Sequence, residues 1–532
     1  MQTYGGAYEQ ENIELLGRRR IYTDVAYIDE TNVIEVLQDA VRIHEMNRAE
    51  IAYLLRYEKG IQPLKREKKI RSDIDIKVTD NLANQVVEFK LGYNWGNSMN
   101  IVRRDEREAK TDVDADGISI LSQMNDQEKM FSKDQVLGRF VEICGIGFQM
   151  VDIKSDYEVS GSVFDVYSLN PLYTFIVYRN DVQETKLMSV TYRTTKDGDR
   201  YFTCYTDERR YEIKNLVSIV NSGDQKDVWE FDETPGRRNG AKNPLGKVPV
   251  VEFVRSPDRM GVFERQIPDM DALNIEVSDF ANSVAQNTQE IWWMNDADFP
   301  KDPATGQAIK PVSGQWMRTV TAPNGNRPAI QALSSTFNYE GVQDNIVSKR
   351  NIILQKCYVP LQTDPGGGST GTAMSMSAGW SAAEAVALKQ ENIIRGAKME
   401  LIELELLAAH RANVLPENHP LLLLKVSDIS LKFPRNKTFD LGTKANTLAT
   451  LINIGVSGAE AFPLVELFAD SAQAWANSKE MVEKYQESRV TKPASSRRLM
   501  SDTTDQGVNS PLLDGMRVKA DYSKGGEMNA DL

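Results

Sequence analysis

The sequence predicts an α+β chain of several packed parts, and three observations carry that prediction. Apolar residues recur at helical spacing near the start, in the middle and over the last third. Runs rich in β-branched and aromatic residues crowd between positions 148 and 221. The length, 532 residues, exceeds one ordinary core and suggests roughly three or four domains or one elongated subunit. With 41% hydrophobic and 26% charged residues, the composition is that of a folded globular protein.

From Thr31 to about Tyr57 the residues Val33, Ile34, Leu37, Ala40, Val41, Ile51, Leu54 and Leu55 predict two helices broken near Asn47. A basic cluster (Lys65, Arg66, Lys68, Lys69, Arg71) precedes a helical pattern through Leu82, Val86 and Phe89. Such a cluster reads as a solvated face. A polar connector near Asp112 to Asp116 leads to a helix from about Ser132 to Cys144. FQMVDI, VFDVYSL, YTFIVYR, LMSVTYRT, RYFTCYT and YEIKNLVSIVN then predict one antiparallel sheet of about six strands.

The middle carries more information. Met270, Leu273, Val277, Phe280, Val284 and Ile291 form a heptad stripe, and the 29 residues from Gln266 to Met294 would make a rod of about 44 Å. Between Arg265 and Lys301 there is no basic side chain, while Asp269, Asp271, Glu276, Asp279, Glu290, Asp296 and Asp298 give seven acids. A solvated helix normally mixes the two signs. Prolines and strand-like pieces around QWMRTVT then predict a small β excursion. A second helix follows from about Tyr339 to Tyr358, ending before Pro360. The Gly-rich stretch DPGGGSTGTAMSMSAG reads as a mobile loop. From a capping box at Ser381 to Glu384, a long helix runs to about His410. A strand in KVSDISLKFPRN, three helices (about 442–454, 457–468 and 471–487) and a flexible tail complete the chain.

Charge and reactive residues exclude more than they suggest. The formal charge of −13 argues against a protein that coats nucleic acid by neutralising phosphates over its whole surface. Cys144, Cys204 and Cys357 read as small buried hydrophobes in a reducing compartment. His44, His410 and His419 lack the spacing of a metal site, so no metal or cofactor is expected. Gly366 and Gly371 have phosphate-loop spacing, but Thr372 stands in the place of the lysine. Gly145-Ile146-Gly147 lacks a third glycine, since Met150 occupies its position. No nucleophile elbow occurs, and no enzyme is expected. No run approaches ~18 consecutive apolar residues and the N-terminus lacks a signal core, so a cytoplasmic protein without membrane contact is expected.

Six blocks in order, YLLRYEKGIQPLKREKK, DNLANQVVEFKLGY, LGRFVEICGIGFQMV, SLNPLYTFIVY, NPLGKVPVVEF with RMGVFERQIPDMDALN, and GTAMSMSAGWSAAEA, resemble portal proteins of tailed bacteriophages. The likeness is to the long non-contractile-tailed type infecting Gram-positive hosts and covers roughly residues 51 to 413. It implies an elongated, ring-forming, multi-domain portal fold. Its parts would be an N-terminal arm (1–24), an α+β wing (25–262), a stem helix (263–295), a small β clip (296–336) and a second stem helix (337–359). A tunnel loop (360–379), a long supporting helix (380–424), a helical crown (425–490) and a tail (491–532) would follow.

The resemblance further implies a ring of about twelve subunits at one capsid vertex, assembled in the host cytoplasm. It would pass double-stranded DNA without regard to sequence during packaging and ejection. Its partners would be the terminase motor, the head-completion adaptor, and the major capsid and scaffolding proteins. Asp269, Asp271, Glu276, Asp279 and Glu290 would line the channel and repel phosphates. Thr363, Asp364, Gly366, Gly367, Gly368, Ser369, Thr370 and Gly371 would form the tunnel loop. Lys301, Lys310, Arg318 and Arg327 would place cations on the clip. Plainer readings stand beside these: an ordinary core helix, a linker and a solvated rim. A packaging ATPase would need the missing loop lysine, whereas an adaptor or minor head protein would not need two long helices bracketing a β tip.

Overall fold

The structure is a computed structural model that describes residues 15–64, 74–104, 112–154, 157–219, 225–234, 238–287, 291–295, 297–298, 303–306, 320–321, 329–333, 338–361, 379–435, 441–465, 467–468 and 471–490. The chain opens with β1 (Ile21–Thr23) and α1 (Val33–Glu58). α1 is one helix, not two. Asn47 lies buried within it, and its side chain accepts the Arg19 N–H and donates to the Arg19 carbonyl, both at 2.8 Å. A mid-helix asparagine whose amide is used outside the helix does not compete for the helix backbone. α1 also spans two cores: Val33, Val36, Leu37, Ala40 and Val41 enter one, and Ile51, Leu54 and Tyr57 the other.

α2 (Leu82–Asn94), β2 (Asn100–Arg103), α3 (Asp112–Gln127) and α4 (Met130–Cys144) follow. The expected acidic connector at 112–116 is therefore the first part of α3.

The strand-like runs divide between two sheets. β3 (Ile146–Ile153) lies between β4 (Phe164–Leu169) and, much later in the chain, β11 (Val250–Val254). β5 (Thr174–Arg179), β6 (Lys186–Thr194), β7 (Arg200–Tyr205) and β8 (Arg209–Ile219) form an antiparallel meander. β1 joins β5 in parallel, and β9 (Gln225–Phe231) and β10 (Ala241–Lys242) pair with β8. The break falls at Asn170-Pro171, where the Asn170 side chain accepts the Leu172 N–H at 3.0 Å. That turn redirects the chain from one sheet to the other.

α5 (Ile267–Asn287) has 21 residues, a rod of about 32 Å, shorter than the heptad pattern suggested. Ile291, Trp292, Trp293 and Met294 instead enter β12 (Ile291–Asn295), as their β-branched and aromatic character favours. β13 (Ala297–Asp298), β14 (Val320–Thr321) and β15 (Ala329–Leu333) follow, then α6 (Tyr339–Lys356). The pairings are nested, Ile291 with Leu333 and Asn295 with Ala329, then Ala297 with Thr321 and Asp298 with Val320. The chain runs outward along α5, β12 and β13 and returns along β14, β15 and α6.

α7 (Trp380–Ala412) starts one residue before the expected cap. Gly379, with φ of 87°, is its N-cap; Ser381 is already helical, and Glu384 bonds Tyr93 and Arg435. β16 (Ile429–Lys432) pairs with β2, and α8 (Leu441–Asn453), α9 (Gly458–Val465) and α10 (Ser471–Val490) surround a small core of their own. All three cysteines are buried and unbridged. The tail lies outside the described residues.

Candidate functional site

The α5–α6 pair and its root form the most elaborate polar construction in the described chain. At the root, Arg18 is fully enclosed and pairs with Glu264 at 2.5 Å and Glu50 at 3.0 Å, while donating to the Cys144 carbonyl at 3.3 Å. Glu264 also accepts the Gly261 N–H at 2.7 Å. Burial pushes its carboxyl above the usual range, with Arg18 acting against that. Arg259 donates twice to Glu252, at 2.8 and 2.5 Å, and once to the Arg18 carbonyl at 2.6 Å. Burial alone would raise the Glu252 carboxyl, but the Arg259 guanidinium more than offsets it and holds the group low. These charges tie residues 18–20 to the entry of α5.

Along α5, Asn274, Ser278 and Asn282 form a buried polar stripe against the extended segment 76–80. Asn274 Oδ1 accepts the Asp80 N–H at 2.8 Å. Ser278 Oγ accepts the Val78 N–H at 3.0 Å and lies 3.1 Å from the Val78 carbonyl. Asn282 bonds both the N–H and the carbonyl of Ile76, at 2.9 and 2.8 Å. Four helical residues rise about 6 Å and two extended residues about 6.6 Å, so alternate strap residues meet successive turns. Arg350 of α6 then pairs with Asp80 at 2.9 Å, fixing the strap to the second helix as well.

The four described acids of α5 occupy different faces. Asp269 pairs with Lys356 and Glu276 with Lys349 of α6, each at 2.5 Å; Glu276 also takes a bond from Asn345. Asp271 accepts the Tyr57 hydroxyl at 2.8 Å. Ala272, Asp279 and Gln286 are exposed at heptad spacing, so Asp279 is the acid of the open stripe. The helix itself lacks cations, but α6 supplies them.

At its far end α6 closes in a Schellman motif, the Val359 N–H bonding the Leu354 carbonyl and Tyr358 N–H that of Gln355, both at 2.9 Å. Tyr358, with φ of 55°, fills the left-handed position usually given to glycine. Buried Lys90 donates to the Tyr358 carbonyl at 3.1 Å, and burial lowers its ammonium to about 8 despite nearby Glu142. A Cβ on Gly379 would stand 3.9 Å from Pro360 Cα, so the Gly-rich segment leaves and re-enters the body at one place.

Glu290, the loop residues Thr363, Asp364, Gly366, Gly367, Gly368, Ser369, Thr370 and Gly371, and the tip cations Lys301, Lys310, Arg318 and Arg327 lie outside the described residues. Asn274, Ser278 and Asn282 lie outside the heptad stripe, and their i, i+4, i+8 spacing on the flanking face was the available signal. Arg18 and Lys90 carried none, because their partners lie far away in sequence. Among the described residues no cluster of histidine, cysteine and acids could hold a metal, and no helix is long and apolar enough to cross a membrane.

Residues 38–488 match the family described as phage portal protein, SPP1 Gp6-like. No curated protein matches the chain. Among solved structures, a chain from the neck of an empty GTA particle computed with C6 symmetry is similar at 10% identity and a TM-score of 0.39, covering 76% of this chain and 95% of that one.

Proposed function

Because the chain belongs to the SPP1 Gp6-like phage portal proteins, structural components of the virion at the capsid vertex, we propose that it forms a dodecameric ring there. Double-stranded DNA enters and leaves through its channel, and the terminase motor and the head-completion adaptor dock on it in turn. The observation that carries this reading is the strapped helix pair ending in nested β ladders. Such an arm is built to project rigidly from a body and present a tip. In this reading residues 25–262 are the wing, α5 and α6 the stem, 296–336 the clip, 360–379 the tunnel loop and 425–490 the crown.

The charge arrangement refines how DNA passes. With Asp269 and Glu276 paired to α6, and Asp271 bonded to Tyr57, the stem offers phosphates a mildly acidic surface whose exposed acids are Asp279, Glu340 and Asp344. Such a wall neither grips the duplex nor presents a strong barrier, so the duplex slides in either direction. Lys301, Lys310, Arg318 and Arg327 on the clip would face the motor and adaptor, and major capsid and scaffolding proteins would meet the ring's outer surface.

Native mass spectrometry of the purified protein, with electron-microscope class averages, tests this. Closed rings of about twelve subunits with a duplex-wide hole are expected. A stable dimer or a compact particle without a channel would overturn it and favour an adaptor or minor head protein.

A further inference from the structure

Glu405 lies on α7, 1% exposed, turned toward α3. Among the described residues its hydrogen-bond partner is Asn125, whose Nδ2 donates to Glu405 Oε2 at 3.3 Å. The other end of that amide, Asn125 Oδ1, is buried and receives no hydrogen bond. An ionised carboxylate only accepts, so it leaves this oxygen orphaned; a protonated acid carries the O–H donor that the oxygen lacks.

The surrounding charges favour the neutral form. Lys398, on α7 itself, is about 10 Å away along the axis. Its ammonium is committed to Asp134 Oδ1 at 2.5 Å and Gln149 Oε1 at 2.9 Å. α4 contributes Asp134, and the turn between α3 and α4 contributes Glu128, held by Lys133 and Lys154 at 2.8 and 2.9 Å. The facing groups are thus one engaged cation and two acids. Burial raises the Glu405 carboxyl to about 7; Lys398 and the Asn125 bond act against this, and Asp134 and Glu128 with it.

The geometry points to a proton-dependent brace: in mildly acidic solution folded Glu405 holds a proton and closes a two-bond acid–amide pair with Asn125, tying α3 to α7. Loss of that proton at higher pH leaves a dry carboxylate facing two acids, and the C-terminal turn of α3 loosens from α7. Nothing in this depends on ring formation.

Infrared difference spectroscopy of the full-length chain, wild type minus E405Q, tests it at about pH 6 and about pH 8.5. The expected result is a buried carboxylic-acid carbonyl band at the lower pH, absent from E405Q and faded at the higher pH. Thermal unfolding supplies the second reading. Because the folded carboxyl titrates near 7 and the unfolded one near 4.5, stability relative to E405Q is full below 4.5 and falls as pH rises to about 7. That fall corresponds to a loss of order a hundredfold in the folding equilibrium. A missing band, or identical pH slopes for the two proteins, overturns the proposal. Should E405Q fail to fold, N125A must shift the wild-type band by removing its partner, and an unshifted band is equally fatal.

Discussion

Asn282 holds the backbone of Ile76 from both sides, its Oδ1 accepting the N–H at 2.9 Å and its Nδ2 donating to the carbonyl at 2.8 Å. Ser278 and Asn274 accept the Val78 and Asp80 N–H groups one and two turns earlier, so the strap is locked in register along α5. N282A removes two bonds at once from a buried site, and a cost of about 1–3 kcal/mol is expected. Hydrogen exchange should show the Ile76 amide losing protection while β-sheet amides such as that of Val190 keep theirs. Unchanged protection at Ile76 would show that the ladder does not hold the strap.

Much of this was legible in the sequence. Met270 and Leu273 are the buried stripe of a helix and the stretch from Tyr339 to Lys356 is its companion, as the periodic apolar residues of both predict. The end of α5 was not legible: Ile291 continues the heptad, yet Trp292 and Trp293 pair across a ladder that forms only when Gln331 and Ala332 return. The acids misled in a related way. Asp269 and Glu276 are unopposed within their own helix and are opposed only in three dimensions by Lys356 and Lys349.

That pairing separates two effects of charge reversal. E276K sets a second ammonium against Lys349 and discards the Asn345 bond, so the α5–α6 pair should lose on the order of 1 kcal/mol, since half-exposed pairs are individually weak. D279K reverses the charge of the exposed stripe, so DNA filling should fall. A packaging assay beside thermal melts of both variants checks this. Normal filling by D279K would remove the open stripe from the account of DNA passage.

The root of the α5–α6 pair should tolerate even less. Arg18 is fully enclosed between Glu50 and Glu264; Glu50 also holds Arg19 at 2.6 Å, so R18M leaves the Glu264 carboxylate buried without its cation. A loss of about 3–5 kcal/mol is expected, with partial recovery in R18M/E264Q, where the stranded charge is also removed. Denaturant or thermal unfolding of the single and double variants measures this. Equal stability of the two would show that Arg18 acts by packing alone.

At the other end, Tyr358 occupies a left-handed position although it is 47% exposed. In Y358G glycine relieves a backbone cost of about 1 kcal/mol, but the buried half of the tyrosine is lost and the unfolded chain is loosened. These effects oppose one another, so the variant should melt within a few degrees of wild type. A drop of several degrees would show that the tyrosine ring is held by contacts that matter more than its backbone strain.

His44 gives the packing of α1 on β5 a pH response of opposite sign to that of Glu405. It is 2% exposed, its ring stacks on Phe175 at 4.5 Å and meets Tyr192 edge-on at 5.8 Å, and Nε2 donates to the Leu172 carbonyl at 3.2 Å. Burial lowers its pKa from 6.5 to about 4, while the Leu172 bond and Glu45 act weakly the other way. The unfolded chain therefore takes up a proton first as pH falls, and stability is lost from about 6.5 downward until the folded ring also titrates near 4. Up to about 3 kcal/mol is at stake across that window. H44F keeps the aromatic contacts with Phe175 and Tyr192 but cannot be protonated, so it should start less stable at neutral pH, having lost the Leu172 bond, and then change less on acidification. The measurement is the wild-type minus H44F melting difference at several pH values from about 7 to about 4; if that difference stays constant, His44 titrates normally and the buried stack does not hold it neutral.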